Sequence, residues 1–355
     1  MTAATVDDRI LRETVGADLA RLGYAVTDDT TFRGTMGRNM SGVVHVDGES
    51  LFVKRIRGMD GAGRFDRSRA LHDCGLAPRG AVRTPDLLHA DRETLLLVYE
   101  FVADADGLST SFLSDGLSAE RLAEIATLLA GLHSSTPARP ELAQWPPPLL
   151  PPWGRNAVHI ELLEGATSGY LDVWRIIQGD PELRRALHAL VASPYEARPV
   201  HGDLRVDQIL AKDDQLWLID WEEFRLGDPA RDIGSLGGEL LYSRMRHLMG
   251  RDDDDGAPLT ESQIMRKGAE LIELARQDIA LLWGAYASAV GAVDEELPSR
   301  VANFIGWQLF DRALAAGSFL GRISAFDRAI AGIGRNLVLN GYSFLRVIGL
   351  EEDAT

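Results

Sequence analysis

The densest polar stretch of the chain is Val200-His201-Gly202-Asp203-Leu204-Arg205-Val206-Asp207-Gln208-Ile209-Leu210, and Trp217-Leu218-Ile219-Asp220-Trp221 follows it. Between them, Asp213-Asp214 favours a turn that joins two strand-like arms. Asp203 is then expected at the start of one arm and Asp220 at the end of the other. Two carboxylates brought together by a short hairpin suit a divalent cation and a general base, because Mg²⁺ selects hard oxygen ligands.

A Gly-rich segment and a hairpin precede this stretch. Residues 34–42 read Gly-Thr-Met-Gly-Arg-Asn-Met-Ser-Gly and are interpreted as a loop between two strands. Asp47-Gly48 then separates two β-rich runs, and this dipeptide is typical of a hairpin turn. The second run ends at Lys54, so the sequence predicts a glycine loop, a hairpin and a lysine at a strand end.

The spacing of apolar residues separates a β-rich N-terminal part from a helical C-terminal part. The sequence therefore predicts the α+β class, with a small N-terminal lobe over residues 1–102 and a larger, mainly helical C-terminal lobe over residues 103–355. A buried strand is predicted over residues 95–102. Helices are predicted over 6–22, 64–74, 118–133, 159–178, 181–192 and, with breaks near 297–298 and 340–341, over 260–350.

Two further segments are interpreted from composition alone. The Pro-rich stretch from Trp145 to Trp153 cannot be the interior of a helix and is expected to be an extended connector. Asp252–Asp255 is expected to be a solvated loop.

Composition excludes several classes of protein. The chain has 355 residues and one cysteine, Cys74, so neither an intrachain disulfide nor a multi-cysteine zinc site can form. It carries 53 acidic and 37 basic residues, a formal net charge of −16, and such a surface repels nucleic-acid backbones. No basic and apolar leader and no long apolar run occur, so we expect a cytoplasmic protein with neither a nucleic-acid nor a membrane partner.

The order of the polar groups matches the requirements of phosphoryl transfer. That reaction uses a carboxylate to accept or orient the attacking hydroxyl, oxygen ligands for Mg²⁺, a lysine on the nucleotide phosphates and a flexible Gly-rich cover. The chain supplies these in the order of residues 34–42, Lys54, Asp203 and Asp220. ATP and Mg²⁺ are therefore the expected cofactors.

These motifs resemble the aminoglycoside phosphotransferase (APH)-like branch of the protein-kinase-like superfamily. The resemblance runs from about residue 25 to residue 345 and implies a bilobal kinase-like fold and a phosphotransferase with an alcohol acceptor. It is carried by four motifs: His201-Gly202-Asp203-Leu204, Leu218-Ile219-Asp220-Trp221, Gly227-Asp228-Pro229 with Asp232-Ile233, and Leu128-Leu129-Ala130-Gly131-Leu132-His133.

The resemblance also implies a role for each matching residue. Asp203 is similar to the catalytic aspartate, Asp220 to the aspartate that binds Mg²⁺, and Lys54 to the lysine on the α- and β-phosphates. Glu100 to Val102 looks like the hinge that receives adenine through backbone groups. The glycines of the N-terminal segment would cover the nucleotide: Gly34, Gly37 and Gly42. Asp228 and Asp232 look like supports of the catalytic loop.

The chain departs from the family pattern at several positions. Gln208 stands where the pattern has a metal-binding asparagine, and its amide oxygen makes it the second metal ligand in our prediction. The acidic partner of the lysine is not evident: Asp66 is a candidate, whereas Glu222 and Glu223 are interpreted as solvated. Arg205 lies where Ser/Thr protein kinases carry a lysine, so we expect it to neutralise the γ-phosphate.

The acceptor is left open between two classes, a small molecule and a peptide. The stretch from Asp203 to Gln208 also resembles the kinase component of class V lanthipeptide and thioamitide systems. That resemblance implies phosphorylation of Ser/Thr in a ribosomally made precursor peptide, with a partner lyase.

Two other functions compete with an active kinase. A pseudokinase-like partner protein would bind nucleotide without turnover, which Gln208 and the missing lysine partner motivate. A metal-dependent hydrolase could be built on His201, Asp203 and Asp220, but it would leave Lys54 and the Gly-rich segment unexplained.

Overall fold

The computed structural model describes residues 4–6, 8–58, 60–76, 82–109, 112, 116–145, 166–213, 215–247 and 260–351. Its strands are β1 (Ala4–Val6), β2 (Thr31–Met36), β3 (Met40–Val46), β4 (Glu49–Arg55), β5 (Leu87–Asp91), β6 (Leu96–Glu100), β7 (Asp106–Gly107), β8 (Arg198–Val200), β9 (Ile209–Lys212), β10 (Gln215–Leu218) and β11 (Arg225–Gly227). Its α-helices are α1 (Asp8–Arg21), α2 (Gly61–Asp73), α3 (Ala119–Ser134), α4 (Ser168–Gln178), α5 (Pro181–Ala192), α6 (Ala230–Arg246), α7 (Glu261–Val290), α8 (Leu297–Gly317) and α9 (Ala325–Asn340).

The chain forms two compact units that exchange segments along the sequence. The first comprises Met1–Gly107, Ser135–Gln144 and Gln208–Leu226, and the second comprises Leu108–Ser134, Trp145–Asp207 and Gly227–Thr355. The lobe boundary expected near residue 102 stays a prediction.

The first unit is built on an antiparallel sheet in the order β1-β2-β3-β4-β6-β5. Alternate side chains of β3 are buried, as expected for a strand with one face on a core. Helix α1 covers that face with Leu11, Val15 and Leu19, which are fully buried. Burial of these apolar side chains is the main stabilising term here.

The predicted hairpin at Asp47-Gly48 is confirmed. Residues 47 and 48 have φ of 54° and 78°, and Val46 pairs with Glu49 on the other side of the turn. Two successive positive φ angles match the twist of the adjoining strands. The turn thereby fixes the register of β4 and places Lys54 opposite Leu97 of β6.

The glycine loop is shorter than predicted. Gly34 lies in β2 and Gly42 in β3, and the two are paired across the ladder. A Cβ at Gly42 would lie 2.6 Å from the Arg33 carbonyl oxygen and 2.7 Å from Leu11 Cδ2. Gly42 therefore lets β2, β3 and α1 approach closely, and only residues 37–39 connect the strands.

A second hairpin, β9–β10, belongs to the same unit. Ile209 pairs with Leu218, and Asp213 at the turn has φ of 47°. A 3₁₀ turn over Val206–Gln208 precedes β9, so Asp203 lies ahead of that turn and not at a strand start as predicted. Asp220 follows the end of β10, as expected.

The second unit is mainly helical. Helix α6 packs on α8, α8 on α9, and α3 on α7. Helices α8 and α9 approach closely, because a Cβ at Gly306 would lie 2.6 Å from the Gly334 carbonyl oxygen. Helix α7 begins with a capping box, in which the Thr260 side chain accepts the Gln263 amide and the Gln263 side chain accepts the Thr260 amide.

The predicted α+β class is confirmed by this combination of an antiparallel sheet and a helical unit. None of the described helices is both long and apolar enough to cross a membrane. Residues 146–153 of the Pro-rich connector, residues 159–165 of the fourth predicted helix and the loop Asp252–Asp255 lie outside the described residues.

Candidate active site

Lys54 is the centre of a cluster of charges in the first unit. Its Nζ lies 2.5 Å from Asp220 Oδ1 and 2.5 Å from Glu222 Oε1. Lys54 and Glu222 are buried, whereas the Asp220 side chain keeps about a third of its surface exposed. The ammonium group is thus compensated by two carboxylates, one of which faces solvent.

The backbone around Asp220 has an uncommon conformation. Asp220 has φ of 70°, which L-residues other than Asn and Asp seldom adopt. The following residue anchors it, since the Trp221 indole Nε1 donates to Thr84 Oγ1 at 3.0 Å and to the Leu218 carbonyl at 3.2 Å. Packing of a buried tryptophan therefore holds the carboxylate in place.

Glu222 is the acidic partner of Lys54 that sequence reasoning missed. Asp66, the candidate from the sequence, is instead held by Arg92, whose Nε and Nη2 each lie 2.8 Å from its oxygens. The expectation that Glu222 is solvated is wrong, because the residue is 7% exposed. The feature of the sequence that could have identified Glu222 is its position two residues after Asp220.

A cavity of about 350 Å³ adjoins this cluster within the first unit. Most of its wall is apolar, and Lys54 and Asp220 lie in its lining. An apolar cavity with a few charged groups suits a flat heterocycle that carries anionic substituents. Its other lining residues include Val43, Phe52, Tyr99, Glu100, Phe101, Val102, Leu210 and Ile219. The predicted hinge residues thus line the same cavity as the predicted phosphate-binding lysine.

Gln208 and Asp220 lie on neighbouring segments. The Ile219 main-chain amide donates to the main-chain carbonyl oxygen of Gln208 at 3.0 Å, and Gln208 is buried. Among the described residues, no group of three or more His, Cys, Asp or Glu side chains could by itself hold a metal ion. One carboxylate and one amide oxygen nevertheless fit Mg²⁺, which in nucleotide sites takes one or two protein ligands together with phosphates and water.

The loop that contains Asp203 is organised inside the second unit. Gly202 has φ of 84°, which explains a glycine at this position. The fully buried Asp232 carboxylate accepts the His201 amide at 2.7 Å and the Gly202 amide at 2.8 Å. His133 Nε2 lies 3.2 Å from the same carboxylate. Asp232 thus supports the loop as the resemblance implies.

The ionisation of Asp232 reflects these contacts. Burial alone would raise its pKa. The hydrogen bonds from His133 and the Gly202 amide and the electrostatic influence of His133 and His201 outweigh burial, so that the pKa of Asp232 is lowered. The carboxylate therefore remains an acceptor for both amides at neutral pH.

Asp203 and Arg205 are in direct contact. Arg205 Nη1 lies 2.9 Å from Asp203 Oδ2, and its Nε lies 3.1 Å from Asp207 Oδ1. The Asp203 side chain is 47% exposed, which leaves its carboxylate accessible to an acceptor hydroxyl. The structure therefore brings Asp203 together with Arg205 in one unit, and Lys54 with Asp220, Gln208, Glu100 and Val102 in the other.

The chain is similar in sequence to known phosphotransferases. A family model described as the phosphotransferase enzyme family, APH, matches residues 43–255. Viomycin phosphotransferase of Streptomyces vinaceus is 29% identical over 192 residues, a match that spans 51% of this chain and 59% of that enzyme.

Two solved structures show the fold. A microcompartment-associated aminopropanol kinase superimposes with a TM-score of 0.53 at 15% identity, covering 95% of this chain and 99% of that one. A spectinomycin phosphotransferase in complex with ADP and spectinomycin superimposes with a TM-score of 0.50 at 14% identity, covering 97% of each chain. The predicted kinase-like fold is thereby confirmed.

Proposed function

The chain belongs to the phosphotransferase enzyme family (APH), and we propose that it transfers the γ-phosphate of ATP to a hydroxyl group of a small molecule, with Mg²⁺ as cofactor. The observation that supports this most directly is the buried Lys54 beside Asp220 at an apolar cavity. The Lys54 ammonium group suits the phosphates of a nucleoside triphosphate whose base lies in the apolar part of this cavity.

The nucleotide would be bound by the first unit. The adenine would lie between the apolar side chains of the cavity and contact the backbone from Glu100 to Val102. Lys54 would contact the phosphates. Asp220 and Gln208 would hold Mg²⁺, which neutralises charge on the phosphates when bound.

Transfer itself would depend on Asp203 and Arg205. The acceptor oxygen forms a bond to the γ-phosphorus while the bond from that phosphorus to the bridging oxygen breaks, and ADP leaves. The hydroxyl proton passes to the Asp203 carboxylate. Arg205, which donates to one oxygen of Asp203, would offset charge on the transferred phosphoryl group.

A small-molecule acceptor is favoured by the sequence similarity to viomycin phosphotransferase. The peptide acceptor and partner lyase implied by residues 203–208 stay a prediction. The −16 net charge would attract a cationic acceptor of either class.

The test compares Asp203→Asn with Asp207→Asn. Both aspartates contact Arg205, but only the first is proposed to accept the proton. With viomycin and with Ser/Thr peptides as separate acceptors, D203N should lower phosphorylated product at least about 100-fold while D207N has a much smaller effect. ADP affinity, measured by calorimetry, should be retained in both variants.

Retained turnover in D203N would contradict the proposed role of Asp203. Binding of ADP by the wild-type chain without any phosphorylated acceptor would instead favour the pseudokinase-like function.

A further inference from the structure

Helix α2 carries arginines at the place from which a carboxylate was expected to reach Lys54. Arg64 is 1% exposed, and its Nη1 donates to Glu222 Oε2 at 2.7 Å. Arg67 donates through Nε to the main-chain carbonyl of Glu222 at 2.6 Å. The helix therefore holds the side chain and the backbone of Glu222, and Glu222 in turn contacts Lys54.

The turn between β2 and β3 joins the same cluster. Asn39 donates to Glu222 Oε1, and its own Oδ1 accepts the Arg57 amide and Arg64 Nη1, each at 3.2 Å. Glu222 is thus fixed by β4, α2 and the glycine-containing turn. A carboxylate with this many charged and polar partners has little rotational freedom.

The two carboxylates on Lys54 have different surroundings. Asp220 is the more exposed and is proposed to hold Mg²⁺, whereas both Glu222 oxygens are directed to protein groups. If Asp220 holds the metal, Lys54 needs a second carboxylate that remains in contact with its ammonium group. Glu222 satisfies that need.

We infer that Glu222 is the positioning residue of Lys54, secured by Arg64 from α2, in the role for which the sequence offered Asp66. The inference rests on the proposed nucleotide-binding function. The expected arrangement has a carboxylate from α2, Asp66, on Lys54. In the structure α2 contributes the cation Arg64 instead, and the carboxylate comes from the segment after Asp220.

The experiment measures Mg²⁺-ADP affinity by calorimetry and the melting temperature of four proteins. These are the wild-type chain, Glu222→Gln, the double variant Glu222→Gln/Arg64→Met, and Asp66→Asn as the matched control. E222Q should weaken ADP binding about 10-fold, the loss expected from one charge-assisted contact, and should also lower the melting temperature.

The double variant distinguishes a role of Glu222 in positioning Lys54 from a role only in stabilising the fold. Removing Arg64 as well leaves no unpaired buried charge, so the melting temperature should recover. ADP affinity should stay low, because Lys54 still lacks its partner. D66N should change neither quantity, since Asp66 pairs with Arg92 on the surface.

Two results would overturn the inference while the proposed function stands. One is equal ADP affinity in the wild-type chain and E222Q. The other is recovery of affinity in the double variant, which would make Glu222 only a counter-charge for Arg64. Failure of the wild-type chain to bind ADP would overturn the proposed function and this inference with it.

Discussion

Gly37 and Gly42 belong to one Gly-rich segment but have different surroundings. A Cβ at Gly42 would meet backbone atoms and Leu11 below 3 Å, whereas a Cβ at Gly37 would have no atom within 4 Å. Gly42 is therefore required by packing between α1 and the sheet. Gly37, at the turn, is free of that constraint and is the better reporter of contact with a nucleotide.

Gly42→Ala should lower the unfolding free energy by about 1–3 kcal/mol, the usual cost of overpacking. Gly37→Ala should leave stability unchanged, so any rise in its KM for ATP would reflect contact with the phosphates. Chemical denaturation and steady-state kinetics check the pair. Equal stability of the two variants would contradict the close approach at Gly42.

The N-terminus of α6 positions the loop of residues 201–207. Asp232 in its first turn accepts two loop amides, and both are buried with it. An asparagine has one acceptor oxygen in place of the two carboxylate oxygens. One buried donor would then lack its partner, at a cost of about 1–3 kcal/mol.

Asp232→Asn should therefore lower both the melting temperature and kcat, while ADP affinity is kept, because the residues that line the cavity belong to the other unit. Glu239→Gln is the control on the same helix, since Glu239 pairs with Arg312 and accepts from Gln308 instead of contacting the loop. A fall in kcat for E239Q as large as that for D232N would argue against a specific effect of the loop.

Hairpins, caps and amphipathic helices were predictable because short-range chemistry determines them. Asp47-Gly48 specifies its own turn, and Thr260 with Gln263 specifies the start of α7. The role of α2 was not predictable, since its buried face includes Arg64, Arg67 and Ser68. Because these buried residues are polar, a pattern of apolar residues does not identify this face as buried. Their partner Glu222 is also remote in sequence.

The proximity of the candidate site residues was predictable to the same extent. Lys54, Asp220 and Glu100 to Val102 follow from motif order, and the structure places them around one cavity. Glu222 was missed although it lies two residues after Asp220, because a second acid after Asp220 is interpreted as solvated unless the buried arginines opposite it are known.

The stability of the molecule should depend on pH through His72. Burial lowers its pKa to about 4, despite the nearby charges of Asp86 and Asp73, which act in the opposite direction. Its Nε2 is buried and has no hydrogen-bond partner among the described residues. In the unfolded chain the imidazole titrates near its ordinary value of about 6.5.

A histidine whose pKa is lowered by folding contributes no pH dependence above that ordinary value. Below it the unfolded chain binds the proton more tightly, so stability falls between about pH 6.5 and pH 4, and by about 2 kcal/mol at pH 5. Most carboxylates stay ionised down to pH 5, which limits competing effects. Denaturation of the wild-type chain and His72→Gln at pH 7 and pH 5 should show the smaller loss in the variant, and equal losses would contradict this account.

The rate at which Cys74 reacts with an alkylating reagent should report how often the first unit opens. It is the single cysteine, it is fully buried, and burial raises the pKa of its thiol to about 11. A thiolate is the form that reacts with alkylating reagents, and water must reach it first. Labelling of the unmodified protein therefore proceeds only through states in which the first unit has opened, and its rate, followed by mass spectrometry with and without nucleotide, reports how strongly a ligand holds that unit closed.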